Sequence, residues 1–334
     1  MKVIIDTDFG VSDTFSVLYL AAATRAEVMA ITLVAGVGQT EIITQNIETI
    51  KSLIEQHSIP IYLGNSYNMQ GRFMEGSEYF VPRPIEEIKH EEQWENVRRD
   101  ISSVQALLHY TKMYPKQIHG IFIGPLTNLA LAYMMDNEFP SRLASITIMG
   151  SDSSEKTTKN VSKHAEINAF NDPLAYSVLK ECISKTNIPI TIVDWTACIK
   201  NPLPFSLEEK IKEYNQMLSK INRYLNLFDM FFDRTNVDTK QIYHSNGLVI
   251  PGLFAVMGVI YPNIFKTKKV KITSVEVSGK RKGHVDYEEH PQGNLDLVYE
   301  VDAKFVAETF VATFFKWDIL QKHFLMDYIK YDKL

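Results

Sequence analysis

The chain has 334 residues, 45% hydrophobic and 22% charged, the balance of an ordinary globular protein. A formal net charge of −5 and a pI near 6.0 give no basic footprint for nucleic acid. No apolar stretch reaches the length of a membrane span, and the first residues enter a strand with no signal peptide ahead of them, so neither a membrane nor a nucleic-acid partner is expected. Cys182 and Cys198 are the only cysteines; without metal-ligand spacing they read as buried and inert, in a chain expected in the reducing cytoplasm.

In chain order, β-branched apolar runs alternate with helical patterns. The predicted strands are Lys2–Ile5, Glu27–Val34, Ile61–Leu63, His119–Ile123, Ser145–Met149 and Ile188–Val193. Helical stretches lie between them, among them Thr14–Ala23, Thr40–Glu55, Val104–Met113 and Asn128–Met135. Strands alternating with helices imply βαβ units and an α/β fold: a Rossmann-like, open, mainly parallel sheet flanked by helices. Tyr67–Arg99 is mixed and charged, and reads as a loop region at the sheet's edge or mouth. Leu207–Phe232 has apolar residues at helical spacing and reads as a helical insertion, spanning about residues 205–235 of one domain running from 1 to 334. Val270–Val277 and Leu295–Val301 read as strands around a polar excursion, Ser278–Asn294, and Asp302–Phe315 as a final helix.

The densest chemistry is at the start. The first strand stops at Asp6, and Asp8 and Asp13 follow, with Gly10 between them permitting a tight turn. Acids at the C-terminal end of a buried strand sit where open α/β sheets bind ligands, and carboxylates this close suit a hard cation such as Ca²⁺ or Mg²⁺. The plainer alternative is that Ser12 or Asp13 caps the helix beginning near Thr14. Later, Gly124-Pro125-Leu126-Thr127-Asn128 ends a strand, with Thr127-Asn128 placed to cap the next helix. Met149-Gly150 then leads through a polar loop to Asn160, Glu166 and Asn168, ahead of Asp172-Pro173. In an extended segment Glu166 and Asn168 face one side, and an acid beside an amide suits recognition of sugar hydroxyls.

Taken together, these segments resemble the inosine-uridine-preferring nucleoside hydrolases. That family opens with Asp-x-Asp-Pro-Gly-x-Asp-Asp, then carries Gly-Pro-Leu-Thr-Asn, Met-Gly-Gly, Asn-x-Thr-Pro-x-Ala-Glu-Phe-Asn and a late His-Asp pair. The resemblance runs from Lys2 to about Phe315. It implies metal-dependent hydrolysis of the N-glycosidic bond of a ribonucleoside or related N-riboside, with Ca²⁺ as cofactor and a small-molecule nucleoside as partner. It also implies a homodimer or homotetramer. Asp8 matches the aspartate that ligates Ca²⁺ and acts as general base on the attacking water. Asp13 matches a second Ca²⁺ carboxylate, Ile123 a residue lending Ca²⁺ its carbonyl, and Asp6 a supporting acid. Asn160, Glu166 and Asn168 match residues that bind ribose hydroxyls, and Asp194 an acid closing a later strand.

Ser12 stands where the family has an aspartate on the ribose 2′-hydroxyl, Phe9 where it has proline, and Val37 where it has asparagine. Pro251 and Gly252 replace the late His-Asp pair, so weaker metal binding is expected: about three carboxylates become two. His244 and Asn246, just upstream, could take those roles only in a shifted alignment. Three functions follow in order of preference: a nucleoside hydrolase of altered preference, a catalytically impaired relative that binds a nucleoside or partner, and, remotely, an Asp-nucleophile phosphatase.

Overall fold

The computed structural model describes residues 1–23, 25–38, 40–53, 58–74, 97–154, 160–217, 235, 240 and 244–313. The first half runs β1 (Lys2–Thr7), α1 (Val11–Ala22), β2 (Glu27–Leu33), α2 (Thr40–Leu53), β3 (Ile61–Tyr62), β4 (Val97–Arg98), α3 (Ser103–Met113), β5 (Ile118–Phe122), α4 (Thr127–Met135) and β6 (Ser145–Met149). There follow α5 (Ile167–Asn171), α6 (Pro173–Ser184), β7 (Ile190–Val193), α7 (Trp195–Lys200), α8 (Ser206–Met217), α9 (Pro251–Ile260), β8 (Phe265–Val275), β9 (Val285–Glu289), β10 (Leu295–Val301) and α10 (303–313). The expected helical reading of Leu207–Phe232 holds over α8, and its remainder lies outside the described residues.

The ten strands among the described residues form one sheet in the order β4-β3-β2-β1-β5-β6-β7-β10-β8-β9. Pairing is parallel from β4 through to β10, and β8 and β9 add an antiparallel edge. Alternate residues of β1 face opposite layers. Val3 and Ile5 join α1, α2, α7, α9 and α10 on one face, while Ile4 joins α3, α4 and α6 on the other. Helix α9 is buried along its whole length, which explains its unbroken apolar sequence. The chain leaves β1 for β2 on one side and returns on the other side as β5, so the order reverses at β1/β5. A crevice opens outside the carboxyl ends of the strands at such a switch point.

Two strands escaped the sequence reading. Val97–Arg98 pairs with β3 inside the segment read as loop, and Val285–Glu289 lies inside the polar excursion. β8 also begins at Phe265, five residues ahead of the expected start, through Lys266, Lys268 and Lys269. Lysine disfavours strands in isolation. Here each is offset by a cross-strand acid: Lys266 by Glu300, Lys268 by Glu289, Lys269 by Asp296, and further on Lys271 by Glu288.

Candidate active site

The switch-point crevice is floored by the turn from β1 into α1. Asp8 follows the strand directly. Phe9 takes a left-handed φ of 51°, whereas Gly10 is extended (φ −67°, ψ 176°). The tight turn therefore falls on Phe9 and not on Gly10, as the sequence suggested. Such a conformation costs a bulky residue about 1–3 kcal/mol. Phe9 recovers it by burying its ring completely and by donating its N–H to Thr7 Oγ1 at 2.8 Å. Helix α1 starts at Val11, three residues earlier than expected, and its N-cap Gly10 provides no side chain. Asp13 is thus not a cap. Its Oδ2 accepts from Thr7 Oγ1 at 2.6 Å and its Oδ1 from Ser12 Oγ at 3.2 Å.

Asp8 and Asp13 are electrostatic neighbours, both almost wholly buried. The Val37 N–H donates to Asp8 Oδ2 at 2.8 Å, so a backbone amide from the β2–α2 loop holds this carboxylate whatever the side chain at that position. Gly36 is required for that approach, because a Cβ there would stand 2.1 Å from Asp8 Oδ2. Burial pushes the Asp8 carboxyl up to about 6, against the Val37 hydrogen bond. Asp13 is raised well above the usual carboxylate range, by burial and then by the Asp8 charge.

Asp6 has a different environment. It points into the core, where Oδ2 accepts from Thr32 Oγ1 at 2.6 Å and from Asn128 Nδ2 at 2.8 Å. Asn128 Nδ2 also reaches the Leu33 carbonyl at 2.9 Å, tying β1, β2 and α4 together. The Asp6 carboxyl is raised to about 7, chiefly by burial. This supporting acid is inaccessible to substrate, which removes it as a phosphatase nucleophile. The expected capping by Thr127 and Asn128 is also corrected. Leu126 is the N-cap, and Thr127 Oγ1 instead donates to Asp172 Oδ2 at 2.7 Å.

The opposite wall comes from the segment after β6. Glu166 and Asn168 reach the cleft not from an extended stretch but as the N-cap and second residue of α5. Glu166 Oε2 accepts three backbone N–H groups, from Asn168 at 2.9 Å, Ser151 at 3.1 Å and Ala169 at 3.2 Å. Its Oε1 is buried with no hydrogen-bond partner among the described residues. Burial raises this carboxyl to about 8, against the three amides. Asn168 Nδ2 donates to the Ile123 carbonyl at 2.9 Å and to the Met149 carbonyl at 3.2 Å. The carbonyl expected to face a cation thus has one lone pair engaged and one open. Asn160 Oδ1 accepts the Ile167 N–H at 3.0 Å, fixing the loop to α5.

Together these groups line one cleft. Asp8, Ser12, Asn160, Glu166 and Asn168 form its polar side, and Val11, Met149, Trp195, Val249 and Pro251 its apolar side. Sequence reasoning missed Trp195, which stacks no motif of its own but follows Asp194, the N-cap of α7. Asp194 itself is buried behind the wall, held by the Ser153 N–H and hydroxyl, and raised to about 7 by burial. Gly252 lies against the floor, since a Cβ there would meet Ser16 Oγ at 2.7 Å and Asp13 Oδ1 at 3.1 Å. That contact supports the alignment at Pro251 and Gly252; His244 and Asn246 are exposed and do not line the cleft.

The donor set at the floor is two buried carboxylates and a backbone carbonyl, all hard oxygens. No lysine, arginine or histidine is present among the described lining residues to offset the two charges. Such a pair fits a divalent cation, which removes their mutual repulsion. The set is thin, because no group of three or more acidic, histidine or cysteine side chains placed for a metal occurs among the described residues. Water or substrate hydroxyls would complete the about six to eight ligands that Ca²⁺ takes.

The family model for inosine-uridine preferring nucleoside hydrolases matches residues 3–308, and the chain belongs to that family of N-glycosidases, which is generally metal-dependent and acts on small nucleosides. Uridine nucleosidase 1 of Arabidopsis thaliana is 25% identical over 291 residues, covering 85% of this chain and 80% of that protein. The inosine-uridine preferring nucleoside hydrolase of Leishmania major is 22% identical over 280 residues, covering 83% and 84%. Among solved structures, the purine-preferring ribonucleoside hydrolase from Gardnerella vaginalis superposes with a TM-score of 0.82 at 21% identity, covering 95% of this chain and 99% of that one.

Proposed function

We propose that this hydrolase cleaves the N-glycosidic bond of a ribonucleoside or related N-riboside, with Asp8 as general base. The observation that carries the reading is the pairing of two carboxylates across one cleft. Asp8 is held from behind by Val37 and lies beside Asp13. Glu166, pinned through Oε2 and with Oε1 unpartnered among the described residues, lines the opposite wall. A base with a carboxyl near 6 is ionised at neutral pH and can still take a proton.

Ca²⁺ held by Asp8, Asp13 and the Ile123 carbonyl would supply a positive charge that makes a nearby water easier to deprotonate. Asp8 receives that proton on its carboxylate. Glu166 Oε1 and the Asn168 side-chain oxygen bind and orient ribose hydroxyls, Asn168 being fixed by its two donated bonds. As the glycosidic bond stretches, the sugar gains oxocarbenium character, which the facing carboxylates stabilise. Trp195, Val249 and Pro251 exclude water around the departing base. Ser12 leaves more room beside Asp13 than an aspartate would, which favours a differently substituted sugar.

The test is release of free base from a ribonucleoside panel led by uridine and inosine, with Ca²⁺ and with a chelator. Calcium-dependent release is expected. No release from any nucleoside, together with no calcium binding, would replace the hydrolase reading by a nucleoside-binding relative.

A further inference from the structure

Ser151 bonds to both Glu166 and Trp195, on the cleft wall, and has no role in the proposed hydrolysis. It is fully buried, yet its φ is 64°, the left-handed region in which a side chain is disfavoured. In that conformation its three polar groups point in three useful directions. Its N–H donates to Glu166 Oε2 at 3.1 Å, and its carbonyl accepts the N–H of the cleft residue Trp195 at 3.0 Å. Its hydroxyl meets Tyr287 Oη at 2.8 Å and lies 3.5 Å from Asp194 Oδ1. Tyr287 belongs to β9, on the antiparallel edge of the sheet and 136 residues away in sequence.

A glycine would hold this backbone without strain, and its N–H and carbonyl would bond in the same way. The serine adds only a hydroxyl, and that hydroxyl joins the β9 edge to the residue whose amide holds Glu166. We propose that Ser151 and Tyr287 act together as a positioning pair, fixing Ser151 in its left-handed conformation so that the Glu166 carboxylate and Trp195 are set for the sugar and base. The inference rests on the assignment of the cleft to nucleoside binding. Glu166 has one oxygen held by three amides and one with no partner among the described residues, so a rotation that loosens the Ser151 amide turns the second oxygen away from the ligand. Gly150 leaves no slack for compensation, because a Cβ there would meet Tyr176 Oη at 2.1 Å.

The experiment is steady-state kinetics on uridine or inosine, whichever the wild type cleaves faster, for Tyr287→Phe, Ser151→Gly and the double variant, each also in a Glu166→Gln background. Ser151→Gly removes the hydroxyl without adding strain, so it stays folded where an alanine could fail. Each single variant should raise KM by about three- to tenfold, the worth of one hydrogen bond, with a smaller change in kcat. The double variant should be no worse than either single, and Tyr287→Phe should leave KM unchanged once Glu166→Gln is present. KM values at the wild-type level in both singles, or effects that add in the double and persist beside Glu166→Gln, would overturn the positioning role even if the melting temperature falls. A wild-type chain that cleaves no nucleoside would instead overturn the assignment of the cleft, and the pair's role with it.

Discussion

Replacing Asp6 by asparagine should make the protein's stability less sensitive to pH. The carboxyl is wholly buried and is raised from 3.8 to about 7, first by burial and opposed by Thr32 and Asn128. In the unfolded chain it loses its proton near the ordinary value, and in the folded protein only near 7. Between those values the folded state holds the extra proton, so stability falls as pH rises through this window and the loss is complete above the folded pKa. From pH 5 to pH 8 about two units of that interval are crossed, worth roughly 3 kcal/mol. Asparagine can keep both observed hydrogen bonds by placing its oxygen at the Oδ2 position. Its amide then falls at the Oδ1 position, which has no partner among the described residues in the wild type either. Urea denaturation with chelator present, at pH 5 and pH 8, measures the difference. Asp6→Asn should gain on the wild type by roughly 3 kcal/mol between the two. Parallel stability in the two proteins would refute the idea that an ionising acid is buried at Asp6.

Gly36→Ala should cut turnover by at least about 10²-fold while leaving the fold intact, because the new Cβ would stand 2.1 Å from Asp8 Oδ2 and must displace the proposed base; kcat and circular dichroism together check this. Calcium at about one hundred times its dissociation constant should raise the melting temperature of the wild type by about 4 °C. Asp13→Asn, which removes one of two carboxylates, should abolish most of that rise, and an equal rise in both proteins would remove Asp13 from the cation site.

Much of this architecture is legible in short segments, because a buried parallel strand and the acids at its end are local patterns. β1, the Asp8–Asp13 cluster and the Glu166–Asn168 segment are read that way. Bonds that cross the fold are not. Asn128 and Thr127 have the residue types of helix caps, and only the packed sheet shows them reaching Asp6 and Asp172 instead. Ser151 and Tyr287 are 136 residues apart, and no spacing links them. The lysine-rich start of β8 fails the propensity argument because its acids lie on β9 and β10, outside any local window. The sequence favours Gly10 for the tight turn, and only the burial of the Phe9 ring explains why phenylalanine holds the left-handed backbone instead.

The hydrolase reading turns on Asp8 as the base of a nucleoside-cleaving site. Its most direct test is base release by the wild type and by Asp8→Asn under saturating calcium, with melting temperatures measured alongside. The wild type should release base, and the variant, folded to a similar melting temperature, should fall by about 10²- to 10⁴-fold in kcat. Turnover by Asp8→Asn at the wild-type rate would contradict it.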